Sequence, residues 1–470
     1  MRRLILTLEL GLLIICYPGK SSGQNPVISG NRVQISRIDF RSEGLSYMPD
    51  ASRQQQVINT MEKATAFIRS ISTKGGYVSS YSNNLKKRYG EGRYELATPT
   101  EIFTQDPGTA SIGNCFLRAY KVTGDEEYLA AAYDAGRALA WGQRKEGGWD
   151  HLVDVSHLYS HSINPERKSG DCTFDDNISQ GALSYLIDLD EIIDADWLTE
   201  SVELGLKFML ASQAENGAWP QWYPLLGSYH DYWTFNDDAI NNCIRVLIKA
   251  HQVYKKEEYL ESVKKAGDFI IMAQFKAPQA GWAQQYQHDM QPGWARRFEV
   301  PGVGSLSTAS VMIMLADIYL YTKNDKYLKP IPAAIKWLKD SKIEENLWAR
   351  IYEMGTNKPI YGNHDRRIHY VFSEGRSDYR FQGSFGINES ISYCNEVIKM
   401  KGGYKREILS QIDRDAKIDN MMKSVVNAVA SLDDRGCWLD RVQDMIHLED
   451  FIMNMNLFCE YLELVGQKKV

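Results

Sequence analysis

The sequence lacks the motifs and the charge excess of several large protein classes. Its seven cysteines include no CxxC pair, and their spacing argues against structural zinc. The formal net charge is −6, so no excess of lysine and arginine would attract nucleic acid. Neither a phosphate-binding GxxxxGKS/T loop nor a GxSxG nucleophile elbow occurs. What remains is a globular chain of ordinary hydrophobic content, 44%, whose 470 residues suffice for one large core.

The first residues have the pattern of an export signal. A basic Met-Arg-Arg start precedes a short apolar run over residues 4–17, and small residues follow up to Gly23. This order is typical of a secretory signal peptide, so we expect cleavage near Gly23 and a secreted or periplasmic protein. The apolar run is too short for a comfortable membrane span. Cys16 offers a lipid-anchored alternative, which Ile15 directly before it makes less favourable.

A small residue followed by a large aromatic residue recurs along the chain. The dipeptides begin at Gly76, Gly148, Ala218 and Gly281, at intervals of 72, 70 and 63 residues. Between them lie apolar residues at helical spacing, for example over residues 129–141. A unit of two helices and an aromatic loop cannot bury its apolar face alone. The repeats therefore predict an all-α fold, an α/α toroid of helical hairpins that forms an incomplete (α/α) barrel with few short strands. An open helical solenoid is the alternative.

The chain is expected to consist of a leader and one catalytic domain. We expect a signal peptide over residues 1–23, a polar lead-in over 24–45, and a toroid over 46–470 with closing helices in 384–470. Weak strand patterns occur near residues 33–40 and 360–372. We expect a monomer with no stable membrane span. The six cysteines after the leader are expected to be buried thiols, with one disulfide as an open alternative.

Two oxygen-rich clusters each precede a helical pattern. One lies over residues 171–177, and the other, Thr-Phe-Asn-Asp-Asp-Ala, over residues 234–239. Adjacent carboxylate and amide oxygens suit a hard cation such as calcium. A loop over residues 216–224, rich in Trp, Tyr and Pro, precedes the second cluster and could form a wall for a sugar. The combination predicts a calcium site that acts on an anionic carbohydrate. Helix capping by the acids is the plain alternative.

Seven short motifs occur in an order that resembles one known family. They are Pro107-Gly-Thr109, Thr173-Phe-Asp-Asp-Asn177, Gly217-Ala-Trp-Pro-Gln221, Thr234-Phe-Asn-Asp-Asp-Ala239, Trp294-Ala-Arg-Arg-Phe-Glu299, Trp348-Ala-Arg-Ile-Tyr-Glu353 and Thr356-Asn-Lys-Pro359. The chain resembles the family 10 polysaccharide lyases, which are calcium-dependent pectate lyases. The resemblance implies an α/α toroid, pectin as substrate and cleavage by β-elimination. Ala218, Tyr232 and Trp233 depart from the family pattern, which leaves the finer substrate preference open.

The resemblance also assigns metal ligands. Asp175 and Asp237 are the first choices for binding calcium. Asp176, Asn236 and Asp238 are the second choices. Because Asp175 and Asp237 lie at the ends of loops one repeat apart, we expect them to share one site.

By the same resemblance, Arg296 is the base that removes the proton on carbon 5 of a uronate. Arg297 takes this role if the register slips by one residue, and an Arg296 paired with Glu299 is the plain alternative. Arginine is normally protonated. A neutral arginine needs desolvation, nearby positive charge or high pH, so this assignment implies an alkaline activity optimum.

Four further residues are expected to contact the substrate. Arg376 resembles an arginine that binds a uronate carboxylate through its planar fork, with a solvated loop charge as the alternative. Arg350 either binds substrate as well or pairs with a carboxylate to hold its loop. Trp222 and Tyr223 lie off the aromatic repeat and are candidates for stacking on sugar rings. Trp219 belongs to the repeat and is expected to pack in the core.

Three other functions fit parts of this pattern. A glycoside hydrolase on a similar toroid would use Asp175 and Asp237 as its two carboxylates. The QxxxGxW pattern at Gln143 and Gln213 also matches triterpene cyclases, although the export signal and the loop arginines fit that class poorly. A non-catalytic pectin-binding protein with the same cleft is the third. Internal or chain-end cleavage and tolerance of methyl esters are left open.

Overall fold

The structure is a computed structural model. It describes residues 50–90, 96–157, 169–403 and 411–466. The predicted signal peptide, the polar lead-in and the strand pattern near residues 33–40 lie outside these residues. All elements below belong to one compact unit over Ile38–Val470.

Helices dominate the described residues. They are α1 (Asp50–Ser70), α2 (Thr109–Thr123), α3 (Glu126–Gly142), α4 (Ile178–Asp190), α5 (Asp196–Ala211), α6 (Ala239–Tyr254), α7 (Glu257–Ala273), α8 (Ser305–Thr322), α9 (Ile331–Asp340), α10 (Ile387–Met400), α11 (Gln411–Ser431) and α12 (Leu448–Gly466). The helices α2 and α3, α4 and α5, α6 and α7, and α8 and α9 pack together as consecutive pairs. The predicted all-α class is therefore confirmed.

The first helix of each pair contacts the first helix of the next. Helix α2 packs on α4, α4 on α6, α6 on α8, and α8 on α10. Helix α12 then packs on α1 and α2, which brings the last described helix back to the first ones. The loops that enter α2, α4, α6 and α8 therefore lie at one end of the helix ring. This arrangement is the toroid that the repeats predicted.

The repeated tryptophans anchor the second helix of each pair. Trp219 is fully buried, and its indole Nε1 donates a hydrogen bond to the carbonyl of Met209 at 2.9 Å near the end of α5. Trp149, Trp282, Trp348 and Trp438 make the same kind of bond to α3, α7, α9 and α11. Each bond satisfies a carbonyl in the last turns of a helix, where intrahelical partners run out. Trp219 thus has the core position that its place in the repeat predicted.

The glycine before Trp219 is required by close packing. Gly217 has a φ angle of +96°, and a Cβ placed there would lie 2.2 Å from the carbonyl oxygen of Lys265. The Gln213 side chain spans the same junction, because its Nε2 donates to the carbonyls of Gly217 and Ser262 at 3.0 Å each. The recurring Gln and Gly therefore bind each aromatic loop to the following helix pair.

Short strands in the described residues line the loop end of the ring. They are β1 (Ser80–Ser82), β2 (Arg88–Tyr89), β3 (Glu101–Phe103), β4 (Leu152–Asp154), β5 (Cys172–Thr173), β6 (Trp222–Tyr223), β7 (Trp233–Thr234), β8 (Gln285–Tyr286), β9 (Val303–Gly304), β10 (Trp348–Ala349), β11 (Ile351–Tyr352), β12 (Pro359–Gly362), β13 (Ile368–His369), β14 (Gln382–Gly383), β15 (Leu439–Asp440) and β16 (Met445–His447). The strands β5 and β7 lie just before α4 and α6, and they pair antiparallel with β6 and β8. The hairpin of β12 and β13 falls where the strand pattern near residues 360–372 predicted strands.

Helix α8 is apolar on nearly every side. Among the described residues it alone has the length and composition of a membrane span, and 72% of this stretch is buried inside the fold. Helices α6, α7, α9 and α10 surround it, which accounts for an apolar surface all round.

Candidate active site

Two loops with the same backbone conformation lead into α4 and α6. Asp176 and Asn177 have positive φ angles of 45° and 63° in the first loop, and Asp237 and Asp238 have angles of 51° and 59° in the second. This left-handed conformation is uncommon outside glycine, and Asn and Asp adopt it most readily. The turn itself therefore favours these residue types. It also makes Asp176 the structural counterpart of Asp237.

Three carboxylates from these loops meet at one place. Asp175, Asp176 and Asp237 each offer one carboxylate oxygen, and the three oxygens lie within 4.8 Å of one another. All three residues are partly buried, and Asp176 Oδ2 accepts a hydrogen bond from Gln105 Nε2 at 2.9 Å. Like charges at this spacing repel, and carboxylate oxygens are the ligands that calcium prefers. The group, called the acidic triad below, fits a calcium ion. It contains both first-choice ligands.

The other two predicted ligands are held by protein groups around the triad. Asn236 Oδ1 accepts a hydrogen bond from Arg350 Nη2 at 3.1 Å, and its Nδ2 donates to Asp237 Oδ2 at 2.5 Å. Asp238 Oδ1 accepts a hydrogen bond from Asn241 Nδ2 at 3.0 Å. No side-chain capping bond forms at the start of α4 or α6. The N-cap residues Asn177 and Asp238 therefore do not cap these helices through their side chains.

Arg296 forms an ion pair with Glu299 beside the triad. Its Nη2 lies 2.7 Å from Glu299 Oε1, and its backbone N–H donates to Oε2 at 3.1 Å. Glu299 is 2% exposed, whereas the Arg296 side chain is 44% exposed. Burial alone would lower the pKa of Arg296, but the hydrogen bond and charge of Glu299 outweigh it and raise the pKa above its usual value. In this conformation Arg296 is a protonated cation. It forms the ion pair with Glu299 that the sequence analysis named as the alternative to a catalytic base.

Arg296 and Arg376 share one aromatic ring. The guanidinium carbon of Arg296 lies 5.1 Å from the centroid of Phe298, and that of Arg376 lies 4.2 Å from it. Arg376 Nη2 also donates to Asp378 Oδ2 at 2.7 Å. Arg297, the alternative base, is exposed, and its carbonyl accepts a hydrogen bond from an indole. The structure therefore brings the predicted base and the predicted substrate-binding arginine together.

Arg350 is placed inside the protein. It is 4% exposed, and its Nε donates to Gln284 Oε1 at 2.6 Å. Its guanidinium carbon lies 4.7 Å from the ring centroid of Tyr379, whose hydroxyl donates to Glu299 Oε1 at 3.3 Å. Arg350 thus contacts the loops that carry Gln284, Asn236 and Tyr379, and its predicted substrate-binding role stays a prediction. Its partners are amides rather than a carboxylate.

The predicted sugar-stacking residues stand on β6. Trp222 pairs with Thr173 across β5 and β6, just before the acidic triad, and both Trp222 and Tyr223 are half-buried. The Trp222 ring stacks on His230 at 4.3 Å between centroids and an interplanar angle of 17°. Burial lowers the pKa of His230, so its imidazole is neutral at neutral pH. Trp222 and His230 form a stacked aromatic pair, called the aromatic surface below, and Trp222 lies on the strand that pairs with the start of the first acidic loop.

Sequence reasoning missed several residues of this site. Gln105 contacts the triad from the loop that enters α2, and Tyr379 links Arg350 to Glu299. Gln105 precedes a helix of the repeat just as the acids do, so aligning the units could have found it. Tyr379 and His230 lie in irregular segments, where spacing carries no signal.

A comparison with family models decides the class of this site. Residues 143–347 match the model described as pectic acid lyase. The match covers the helix pairs α4–α5, α6–α7 and α8–α9. The match confirms the resemblance drawn from the motifs and identifies an enzyme, a polysaccharide lyase. The acidic triad and Arg296 lie within the matched residues, and Arg350 and Arg376 lie just beyond them. No curated protein sequence matches the chain.

Several solved structures are similar to this protein. A mutant of a family 10 polysaccharide lyase from Cellvibrio cellulosa, in complex with trigalaturonic acid, has 19% identity and a TM-score of 0.48, and the match covers 61% of this chain and 98% of that one. A D-mannose isomerase has 13% identity and a TM-score of 0.46, covering 88% and 99%. An unsaturated glucuronyl hydrolase specific for heparin has 12% identity and a TM-score of 0.42, covering 88% and 98%. Each of these chains is matched over nearly its whole length.

Proposed function

We propose that this polysaccharide lyase is a secreted pectate lyase that cleaves polygalacturonate by calcium-assisted β-elimination. Its products would be unsaturated oligogalacturonates. The acidic triad carries the proposal, because three carboxylates within 4.8 Å of one another lie beside Arg296 in the family-matched residues. A polyanionic substrate would not approach such a group unless a cation offsets its charge.

Each group of the site has a role in this proposal. Asp175, Asp176 and Asp237 would hold calcium, which when bound neutralises the carboxylate of the uronate and makes the adjacent proton easier to remove. Arg296 accepts the proton from carbon 5. The electron pair of that C–H bond becomes the C4–C5 double bond. The C4–O4 bond breaks with its electron pair on O4, which takes up a proton from water so that the sugar leaves with a free hydroxyl. Arg376 binds a uronate carboxylate by exchanging its exposed bond to Asp378 for one to substrate.

The Arg296–Glu299 pair sets a condition on this chemistry. Because Glu299 raises the pKa of Arg296, Arg296 must first leave the carboxylate or lose a proton at high pH. The 44% exposure of the Arg296 side chain allows such a movement, whereas Glu299 is held at 2% exposure. We therefore propose an alkaline activity optimum.

A hydrolase fits the triad less well. Hydrolases separate their two carboxyl groups by about 5–5.5 Å when they retain configuration and by about 6.5–9.5 Å when they invert it. The triad oxygens lie within 4.8 Å of one another, a spacing that suits one shared cation. A lyase product absorbs ultraviolet light through its new carbon–carbon double bond, whereas a hydrolase product does not. Incubation with polygalacturonate, read by this absorbance, therefore separates the two functions.

The calcium role is tested in the same assay. We expect a chelator to abolish the absorbance increase and added calcium to restore it. Activity that ignores chelation would remove calcium from the mechanism.

The role of Arg296 is tested by Arg296→Ala. We expect turnover to be lost while oligogalacturonate binding persists, since the triad and the aromatic surface remain. Arg69→Ala, which removes an ion pair of the same 2.7 Å length to Glu127, is the matched control. A non-catalytic pectin-binding protein would show no turnover in any variant.

Secretion is tested by expressing the full chain with and without residues 1–23. We expect export and cleavage near Gly23 only with the leader. A lipid anchor at Cys16 would instead leave the protein in the membrane fraction.

A further inference from the structure

The polar chain behind the acidic triad leads to one buried arginine. Arg350 donates through Nη2 to Asn236 Oδ1 at 3.1 Å, and Asn236 Nδ2 donates to Asp237 Oδ2 at 2.5 Å. Asp237 is a member of the triad. The guanidinium thus acts on a metal-binding carboxylate through a single intervening amide.

Asn236 is held so that its side chain has one orientation. Its backbone N–H donates to the carbonyl of Gln284 at 3.0 Å, and the side chain of Gln284 accepts from Arg350 Nε at 2.6 Å. Arg350 itself is fixed on both sides, since its N–H donates to the carbonyl of Phe381 and its carbonyl accepts from Ser305. A guanidinium has only donors, so it orients the amide with oxygen toward itself and nitrogen toward Asp237.

The residue type at position 236 follows from this arrangement. Its structural counterpart in the first loop is Asp175, a carboxylate of the triad. An aspartate at position 236 could accept from Arg350, but it could not donate to Asp237 and would repel it. Only an amide serves both neighbours. The two loops therefore differ at this position because one faces the triad and the other faces Arg350.

The buried positive charge of Arg350 is compensated by carboxylates of the site. A buried cation is costly unless opposite charge compensates it, and the hydrogen-bond partners of Arg350 in the described residues are neutral amides. The compensating charges are Asp237, reached through Asn236, and Glu299, whose pKa the charge of Arg350 helps to lower. The arginine is therefore retained at 4% exposure by the carboxylates that it organises.

We propose that Arg350 is a positioning residue that orients the Asp237 carboxylate for calcium through the amide of Asn236. The inference rests on the proposed calcium role of the triad. Outer partners that orient a metal ligand typically change metal affinity by about 10–100-fold when removed. Arg350 would touch neither the metal nor the substrate in this role.

The test is calcium affinity measured by titration calorimetry on the full-length enzyme without substrate. Arg350→Lys keeps the positive charge but loses the planar guanidinium with its several donors. Asn236→Ala removes the amide that connects Arg350 to Asp237 and keeps Arg350 itself. We expect each to weaken calcium binding by about 10–100-fold. Both residues act through the same chain of hydrogen bonds. The double variant should therefore bind calcium no more weakly than the single variant with the lower affinity. Arg118→Lys, which alters a bidentate pair to Glu463, is the matched control and should bind calcium normally.

The outcomes separate this inference from the proposed function. Normal calcium binding by a folded Arg350→Lys or Asn236→Ala enzyme overturns the positioning role and leaves the calcium site intact. If Arg350→Lys does not fold, Asn236→Ala decides the matter alone. Additive losses in the double variant would show two independent effects and overturn the relay. A wild-type enzyme that binds no calcium overturns both the calcium role and this inference.

Discussion

Replacing Glu299 by glutamine isolates the electrostatic control of Arg296. The variant keeps the shape of the side chain and removes the charge 2.7 Å from Arg296 Nη2. At an effective dielectric constant of ~20, two unit charges at that distance interact by ~6 kcal/mol. The Arg296 side chain is 44% exposed, so solvent screening reduces this to about half. The remaining ~3 kcal/mol corresponds to about two pKa units.

The sign of the effect follows from the direction of the shift. Glu299 raises the pKa of Arg296, so Glu299→Gln lowers it and makes neutral Arg296 available at lower pH. We expect the acidic limb of the pH profile of kcat/KM on polygalacturonate to move down by about two pH units. The assay is product absorbance over a pH series, with calcium held constant.

The control is Glu345→Gln. Glu345 is 86% exposed and pairs with Lys342 at 2.9 Å, so its loss should leave the profile unchanged. An acidic limb that stays in place in folded Glu299→Gln would refute the reasoning, because the proton acceptor would then be a group that Glu299 does not influence.

Three further perturbations have outcomes set by the structure. Asp237→Ala should abolish calcium binding but should not lower the melting temperature measured without metal, because it relieves repulsion among three crowded carboxylates. A large drop in the metal-free melting temperature would contradict that repulsion. Trp222→Ala should raise KM about five-fold with kcat nearly unchanged, since one stacked ring contributes ~1 kcal/mol of binding; an equal loss in kcat would argue for a catalytic role. Arg118→Ala should lower the melting temperature by about 1 °C, measured by calorimetry, since it removes a bidentate pair to Glu463 worth ~1 kcal/mol; an unchanged temperature would mean that helix packing alone joins α2 and α12.

The fold was predictable because its repeated unit has a physical signature. Trp149, Trp219 and Trp282 each close the end of a helix, so their spacing reports the size of the helix pair. The segment over residues 341–383 is irregular and has no repeated residue pattern from which its structure could be predicted. Its strands and its contacts to the site depend on pairings between residues far apart in the chain.

The site was predictable in its ligands and less so in its supporting contacts. Asp175 and Asp237 lie together as the two-loop hypothesis required, but the residue equivalent to Asp237 in the repeat is Asp176. The distinction depends on two successive left-handed residues in each loop, which no periodicity reveals. The burial of Arg350 was likewise invisible, because an arginine beside a strand is usually exposed.

The contact between α12 and α2 has a consequence for how the chain acquires its structure. Arg118 and its partner Glu463 are separated by 345 residues, and Phe116 of α2 meets Phe451 of α12 with ring centroids 5.9 Å apart. During synthesis, the apolar face of α2 emerges long before α12, the helix that covers it. Contacts between residues so far apart in the sequence slow folding. They also prolong the time during which the exposed apolar face can aggregate with other chains. Deletion of Leu448–Gly466 should therefore yield insoluble protein, although every candidate catalytic side chain is still present.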